Sequence, residues 1–461
     1  MSKYFTYDEN GKMVFSDFSC NCGLEHRIPT QSVYIKRGLL EKIPEMIHEK
    51  ELGTHCVVVC DNNTYKVAGK RVIEILERAG FDVIRCVINR EGEMLPDETA
   101  VGEVLLSIQP ETEFLVSVGS GSVTDTTRVN ATRTGLPFVA VATAPSMDGY
   151  TSVVSPLVFR KVKIHRTGVC PEIVVCDLDV LATAPMELLS SGVGDVLGKY
   201  IANADWRLGQ IINGEKYCPT CAGMVLDAVS QLIEHADEIS RKTPEGIQAL
   251  IEALIISSMT ILIIGNTRAV ASIEHNIAQF WEMKLIQEGK PIPHHGSSVG
   301  VATLLVLPIF KRFAGENLER LNMEEIKRNR ISAETRAKRV KYTYGEEGGA
   351  DIIRENPEDF LTWEEQLRRI NMAKAHFAEI RDVIDALPDA AELEKVMRVL
   401  HSDITPEDEH IESGLLNLSM HGTKDYRTRY TLFKLLEECG LLEEYLADYP
   451  FTYPVGKNYG G

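Results

Sequence analysis

The chain has 461 residues, 44% hydrophobic and 25% charged, which is enough for two domains with buried cores and an ordinary soluble composition. Its formal net charge of −18 argues against nucleic acid or anionic lipid as the main partner, while leaving room for an anionic small molecule in a locally positive site. The opening MSKYFTYDENGKMVF has no basic lead into an apolar core, and LIEALIISSMTILIIGN is broken by Glu252, two serines and a glycine. We therefore expect a cytoplasmic protein with no secretory signal and no membrane span.

In chain order, SVYIKRG reads as a strand and LLEKIPEMIHEK as a helix. HCVVVCD is a strand ending at Asp61, and YKVAGKRVIEILERAG a helix closed by Gly80. FDVIRCVIN, EFLVSVGSG, PFVAVATA and EIVVCDLDVL continue the alternation. Near-continuous apolar strands between helices indicate a parallel sheet covered on both faces. From about residue 185 the spacing turns helical, through MELLSSGVGDVLGKYIANADWRL, CAGMVLDAVSQLIEHADEIS and EGIQALIEALIISSMTILIIG. The expected architecture is an α/β nucleotide-binding domain over 1–184 and an all-α domain over 185–461. The charged helices of 316–340 read as a solvated face, and the region 316–365 has no assigned role.

Ten cysteines without a signal peptide read as reduced thiols. Cys20 with Cys22, and Cys218 with Cys221, could supply four thiolates to a zinc ion, but unpaired thiols are the favoured expectation.

Three stretches suggest a nucleotide cleft. FLVSVGSGSVTDTTR is a strand, a Gly/Ser turn and a helix start, where bare N–H groups and the helix dipole favour phosphate. Gly119 and Gly121 would let the backbone approach a pyrophosphate; Ser120, Ser122, Val123, Thr124 and Asp125 complete the turn and cap. Asp61, at a strand end, suits a ribose and NAD(H) over NADP(H), or else a helix N-cap. VATAPSMDGYTS places the hydroxyls of Thr143 and Ser146 and the carboxylate of Asp148 at the same sheet edge. In the helical half, Asp195, His275 and the His294–His295 pair offer one carboxylate and imidazoles for a divalent metal.

Together VGSGSVTD, ATAPSMDGYTS, GVGDVLGK, EHNIAQFWEM, HGSSVGVAT and YRTRYTLFKLLEECGLL resemble the sn-glycerol-1-phosphate dehydrogenases. These lie within the superfamily of iron-containing alcohol dehydrogenases, glycerol dehydrogenases and dehydroquinate synthases. The resemblance implies metal ligands at Asp195, His275 and His295. It implies cofactor contacts at Asp61, the 121–125 turn, Thr143 to Ser146 and Ser152, and substrate contacts at Asp148 and Asp195. Lys199 stands where iron-dependent members carry a further histidine, which suggests three protein ligands and nickel or zinc ahead of iron. Gln279 replaces a family histidine that contacts substrate; Lys163 is a candidate for positive charge near cofactor or substrate. The implied reaction is NAD(P)H-linked interconversion of dihydroxyacetone phosphate and sn-glycerol 1-phosphate, with Asp148 or His294 relaying a proton and a homodimer as the assembly. The alternatives are a polyol or alcohol dehydrogenase on an unphosphorylated substrate, a dehydroquinate-synthase-like cyclase, and a non-catalytic binding protein.

Overall fold

The run CVVVC has no polar face to give to water, so a strand built from it must be covered on both sides. The computed structural model describes residues 4–15, 20, 22–23, 26, 31–357 and 361–454, and in it Cys56 to Cys60 are all buried. The described residues form ten strands. These are β1 (Phe5–Tyr7), β2 (Met13–Phe15), β3 (Ser32–Lys36), β4 (His55–Asp61), β5 (Asp82–Ile88), β6 (Phe114–Gly119), β7 (Phe138–Ala142), β8 (Val154–Phe159), β9 (Val162–Thr167) and β10 (Ile173–Asp177). Six make one wholly parallel sheet in the order β3-β10-β7-β6-β4-β5. All six strands expected from the sequence are in it.

The chain leaves β4 for the edge strand β5, then returns to the opposite side of β4 as β6. Such a reversal opens a crevice at the carboxyl ends of the two strands, where α/β sheets bind ligands. Asp61 ends β4 and Gly119 ends β6, so the topology puts both at that crevice.

Two pairs of strands stand apart from the sheet: β1 with β2, and β8 with β9, each antiparallel. The β8–β9 turn is two residues, Arg160 and Lys161, both at positive φ, which matches the twist of a tight hairpin. This hairpin carries Lys163 and His165.

After β10 the described chain is helical. LIEALIISSMTILII lies within one 21-residue helix, Pro244–Ile264, as the helical spacing of that stretch leads one to expect. It and His295–Ala314 are long and apolar enough to cross a membrane, yet 78% and 72% of their apolar windows are buried inside the fold. Within the first helix, Tyr7 Oη and Gln248 Nε2 donate to the Glu252 carboxylate at 2.7 and 2.6 Å.

The charged helices of 316–340 are not wholly a solvated face. Arg336, on the Ala333–Tyr344 helix, pairs with Asp425 at 2.6 Å and with Glu437, and Lys424 is buried against the same two carboxylates. The Ala333–Tyr344 helix thus braces the chain at Lys424 and Asp425, just ahead of two arginines of the cleft, Arg427 and Arg429.

Candidate active site

The crevice holds two adjoining cavities that share Glu93, Ser122 and His294 in their walls. One, of about 580 Å³, is lined by Asp61, Asn62, Ser120, Val123 and Thr143. The other, of about 450 Å³, is lined by Gly121, Asp125, Asp148, Ser152, Lys163, His275, Gln279 and His295.

The first cavity has the chemistry of a nucleotide end. β6 runs into Ser120 and the Gly121–Thr134 helix, whose N-terminus opens on it. A side chain at Gly119 would meet Val123 Cβ at 2.5 Å, so only glycine lets strand and helix close this tightly. Asp61 is an N-cap: its Oδ1 accepts from the amides of Asn63 and Thr64, both at 2.7 Å, and the residue still lines the cavity. Ser120 and Ser146 share a hydrogen bond at 3.3 Å, and Thr143 N donates to Gly119 O at 3.1 Å. Gly119, Thr124 and Ser146 line neither cavity. Thr124 is buried on the inner face of its helix and Ser146 holds the turn, so the structure gives them packing rather than cleft positions. Asp125 faces the second cavity but pairs with Arg128 at 2.5 Å, and burial raises its carboxyl to about 6. Arg128 in turn donates to the carbonyls of Gly149 and Val154, fixing the loop that carries Asp148 and Ser152.

The second cavity begins where two helices cross almost backbone to backbone. A Cβ on Gly194 would lie 2.2 Å from Gly296 O, and one on Gly296 only 1.9 Å from Ser191 O. This crossing brings Asp195, on Met186–Leu197, toward His295, the first residue of His295–Ala314. His275, on Ile273–Glu288, completes the group, with Nε2 3.4 Å from Asp195 Oδ1 and its ring centroid 5.5 Å from that of His295.

Each imidazole is oriented by a buried carboxylate: His275 Nδ1 meets Glu274 Oε1 at 2.7 Å, and His295 Nδ1 meets Glu282 Oε1 at 2.5 Å. Carboxylates on Nδ1 present Nε2 as a ligand, the arrangement usual at protein metal sites. The 3.4 Å spacing of His275 and Asp195 also suits two donors each about 2.1 Å from one ion. The site therefore fits a divalent metal, with His295 standing somewhat further back. Burial alone would raise the Asp195 carboxyl, but Lys199 at 2.6 Å and His275 hold it far below its ordinary range.

Lys199 is fully engaged. Its buried Nζ bridges Asp195 and Asp148, the latter at 2.9 Å, so it cannot take the place of a fourth ligand. Asp148 also accepts from Ser257 Oγ at 2.9 Å and donates its backbone N–H to Asp195 Oδ2 at 3.1 Å. His294 faces both cavities, with Nδ1 3.7 Å from Glu93 Oε1. Lys163 is not a solvent-facing strand residue; it is mostly buried in the cavity wall and pairs with Glu282.

Three participants were not legible residue by residue. Glu282 follows His275 by seven positions on one helix, with the expected Gln279 between them at four, and that i, i+4, i+7 stripe was the available signal. Arg427 and Arg429 lie within a family-like stretch but gave no local sign of a site. Arg427 donates to His165 Nδ1 at 3.1 Å, and Arg429 to Ala271 O at 2.6 Å and Thr267 Oγ1. Among the described residues neither arginine pairs with a carboxylate. Burial and these neighbouring cations keep His165 neutral, and burial lowers Arg429 to about 9. With Nδ1 accepting from Arg427, His165 has Nε2–H as its donor.

Residues 34–185 match the family model described as iron-containing alcohol dehydrogenase. The chain is 30% identical over 433 residues to a glycerol-1-phosphate dehydrogenase [NAD(P)+] of Halalkalibacterium halodurans, covering 93% of this chain and 98% of that protein. It is 28% identical to the enzyme of the same name from Methanosarcina barkeri, over 60% of this chain and 76% of that one. In structure it is similar to iron-containing alcohol dehydrogenase from Corynebacterium glutamicum, with a TM-score of 0.58, 14% identity, and coverage of 93% of this chain and 97% of that one. Glycerol dehydrogenase from Schizosaccharomyces pombe gives a TM-score of 0.56 at 15% identity, covering 92% and 93%. At these identities the structural likenesses concern the fold alone.

Proposed function

Because the chain belongs to the glycerol-1-phosphate dehydrogenase family, we propose that its cleft interconverts dihydroxyacetone phosphate and sn-glycerol 1-phosphate using NAD(P)(H) and one divalent metal. The observation that carries the substrate is the cationic wall of the second cavity. Arg427, Arg429, neutral His165 and Lys163 share that cavity with His275 and His295, and Asp195 lies buried behind its wall, 3.4 Å from His275. Arginines without carboxylate partners, plus an imidazole N–H, match a phosphate group's oxygens.

We assign residues 1–184 to nucleotide binding and 185–461 to metal and substrate, with the β8–β9 hairpin reaching across. Asp195, His275 and His295 would hold the metal, which we take as nickel or zinc because Lys199 stands where a fourth ligand would be. When bound, the metal supplies Lewis acidity at the substrate carbonyl and the reduced nicotinamide supplies hydride.

The chain's own groups do the rest. The turn from Ser120 to Ser122 and the helix N-terminus hold the cofactor phosphates, and Asp61 takes the ribose, favouring NAD(H). Lys199, kept charged between Asp148 and Asp195, holds both carboxylates in position and adds positive potential beside the reacting oxygen. Asp148 aligns Lys199, while His294, open to both cavities and next to Glu93, passes the proton to the substrate oxygen. Gln279 donates a hydrogen bond to a substrate hydroxyl. We place the enzyme in the cytoplasm as a homodimer, on family grounds, with neither nucleic acid nor membrane as partner.

The test is NADH oxidation with dihydroxyacetone phosphate against dihydroxyacetone. Turnover is expected with the phosphorylated ketone, and Arg429→Ala should raise KM at least tenfold for it alone. Activity confined to dihydroxyacetone would point instead to a polyol dehydrogenase, and phosphate release without net NADH loss to a cyclase.

A further inference from the structure

Far from the cleft in sequence, two cysteines and a histidine of the N-terminal arm meet a cysteine of the helical half. Cys20 Sγ lies 3.6 Å from Cys218 Sγ, His26 Nε2 lies 3.2 Å from Cys22 Sγ, and Cys218 Sγ lies 3.6 Å from His26 Nε2. All four donor atoms fall within 4.8 Å of one another, the only such set of His, Cys, Asp and Glu among the described residues. The set differs both from the unpaired thiols expected from the sequence and from its four-thiolate alternative. Cys221 is not in it and His26 is.

The two 3.6 Å spacings match a known geometry, and the 3.2 Å one is slightly short of it. Donors on a tetrahedral zinc, with Zn–S near 2.3 Å and Zn–N near 2.0–2.1 Å, lie about 3.4–3.8 Å apart. A disulfide would need sulfurs about 2.0 Å apart and would use only two of the four groups. Cys218 also has a fixed backbone donor at its sulfur. It is the N-cap of the 16-residue Pro219–Glu234 helix, and its Sγ accepts the Cys221 N–H at 3.3 Å. Thr220 Oγ1 stands 3.8 Å from Cys20 Sγ as a second polar neighbour.

We propose that Cys20, Cys22, His26 and Cys218 bind one zinc ion in a closed, structural Cys₃His site. None of the four lines either cleft cavity, so the ion has no part in the chemistry. Its place explains its use. The same arm begins with the β1–β2 hairpin, whose Tyr4 and Tyr7 hydroxyls donate to Asp227 and Glu252 at 3.2 and 2.7 Å. The ion would pin this short hairpin, which has little core of its own, to the Pro219–Glu234 helix, and so fasten the chain entering β3 to the helical half.

Cobalt(II) reconstitution of the full-length protein tests this, because thiolate-to-cobalt charge-transfer bands cannot come from the Asp195, His275 and His295 donors. The bands are expected in wild type and in His295→Ala, and absent in Cys22→Ser. Zinc content should fall by one per chain in Cys22→Ser, and total bound metal by one in His295→Ala and by two in the double variant. If Cys22→Ser does not fold, titrating wild type with an organomercurial should release one zinc per chain. A wild-type cobalt protein without thiolate bands, a Cys22→Ser protein that keeps its full zinc, or an organomercurial that frees none would overturn the proposal.

Discussion

Glu282 serves two neighbours at once. One oxygen takes His295 Nδ1 at 2.5 Å and the other takes Lys163, so it orients an expected metal ligand while tying the β8–β9 hairpin to the site. Burial opposes its charge, but Lys163 and His295 hold its carboxyl down at about 2. Glu282→Gln keeps the shape but loses the charge that fixes the histidine, and should weaken metal affinity roughly 10- to 100-fold in competition with a chelator. Glu274→Gln should act similarly through His275. By the same logic His295→Ala loses the cleft metal and His294→Ala keeps it while slowing turnover; the reverse outcome would exchange the roles of the paired histidines. The sequence separated that pair only through family resemblance, since two adjacent imidazoles carry no local mark of which one an acid will orient. Glu282 supplies the physical mark, and it lies thirteen residues away on another helix.

The elements were legible where one interaction dominated. The inner strands of the parallel sheet are apolar runs, so their burial on both faces was written in composition, while the edge strand β5 exposes Asp82 and Arg85. The β8–β9 hairpin was not, because VSPLVF and VKIHRT mix apolar and polar positions, include Pro156, and turn without glycine or asparagine. The two crossing helices lie between these cases: the glycines of GVGDVLGK and HGSSVG were visible, but not that they face each other. Their tolerance is now calculable. Gly296→Ala places a methyl carbon against the backbone carbonyl of Ser191, which cannot swing aside as a side chain can. We expect a loss of about 1–3 kcal/mol by urea unfolding, despite alanine's better helix propensity, with weaker metal binding as Asp195 and His295 separate. Gly102, on Glu98–Ser107, has nothing within 4 Å of its Cβ position, so Gly102→Ala should instead stabilise by up to about 1 kcal/mol. A stabilising Gly296→Ala would mean that the helices do not cross this closely.

At the scale of the whole molecule, an acidic chain has folded several carboxyl groups into its interior without giving each a cation. Burial raises Asp205 and Glu438 to about 7 and Glu409 to about 8, the last helped by the charges of Asp403 and Glu282 nearby. Glu409 is the barest: Ser298 Oγ donates to Oε2 at 2.8 Å, while Oε1 is buried without a partner among the described residues. A carboxyl whose folded pKa is raised binds more protons in the native state than in the unfolded one, so it costs stability as pH rises from its unfolded value to its folded one. Buried histidines of lowered pKa, His165 and His421, have the opposite slope, but only below about 6.5, where the unfolded chain protonates them. Glu282 and Glu437, both at about 2, act only in acid, where their stabilisation is lost as pH falls. Between about pH 6.5 and 8 the raised carboxyls are therefore unopposed by these groups, and they lower stability across that window. Metal binding has its own pH dependence, so Glu409 is best isolated by comparison within one metal-replete buffer. Glu409→Gln removes the titration and keeps the hydrogen bond from Ser298. Its stability relative to wild type should rise by about 2 kcal/mol from pH 6.5 to 8, read from urea midpoints. A difference between the two proteins that does not change with pH would place the proton elsewhere.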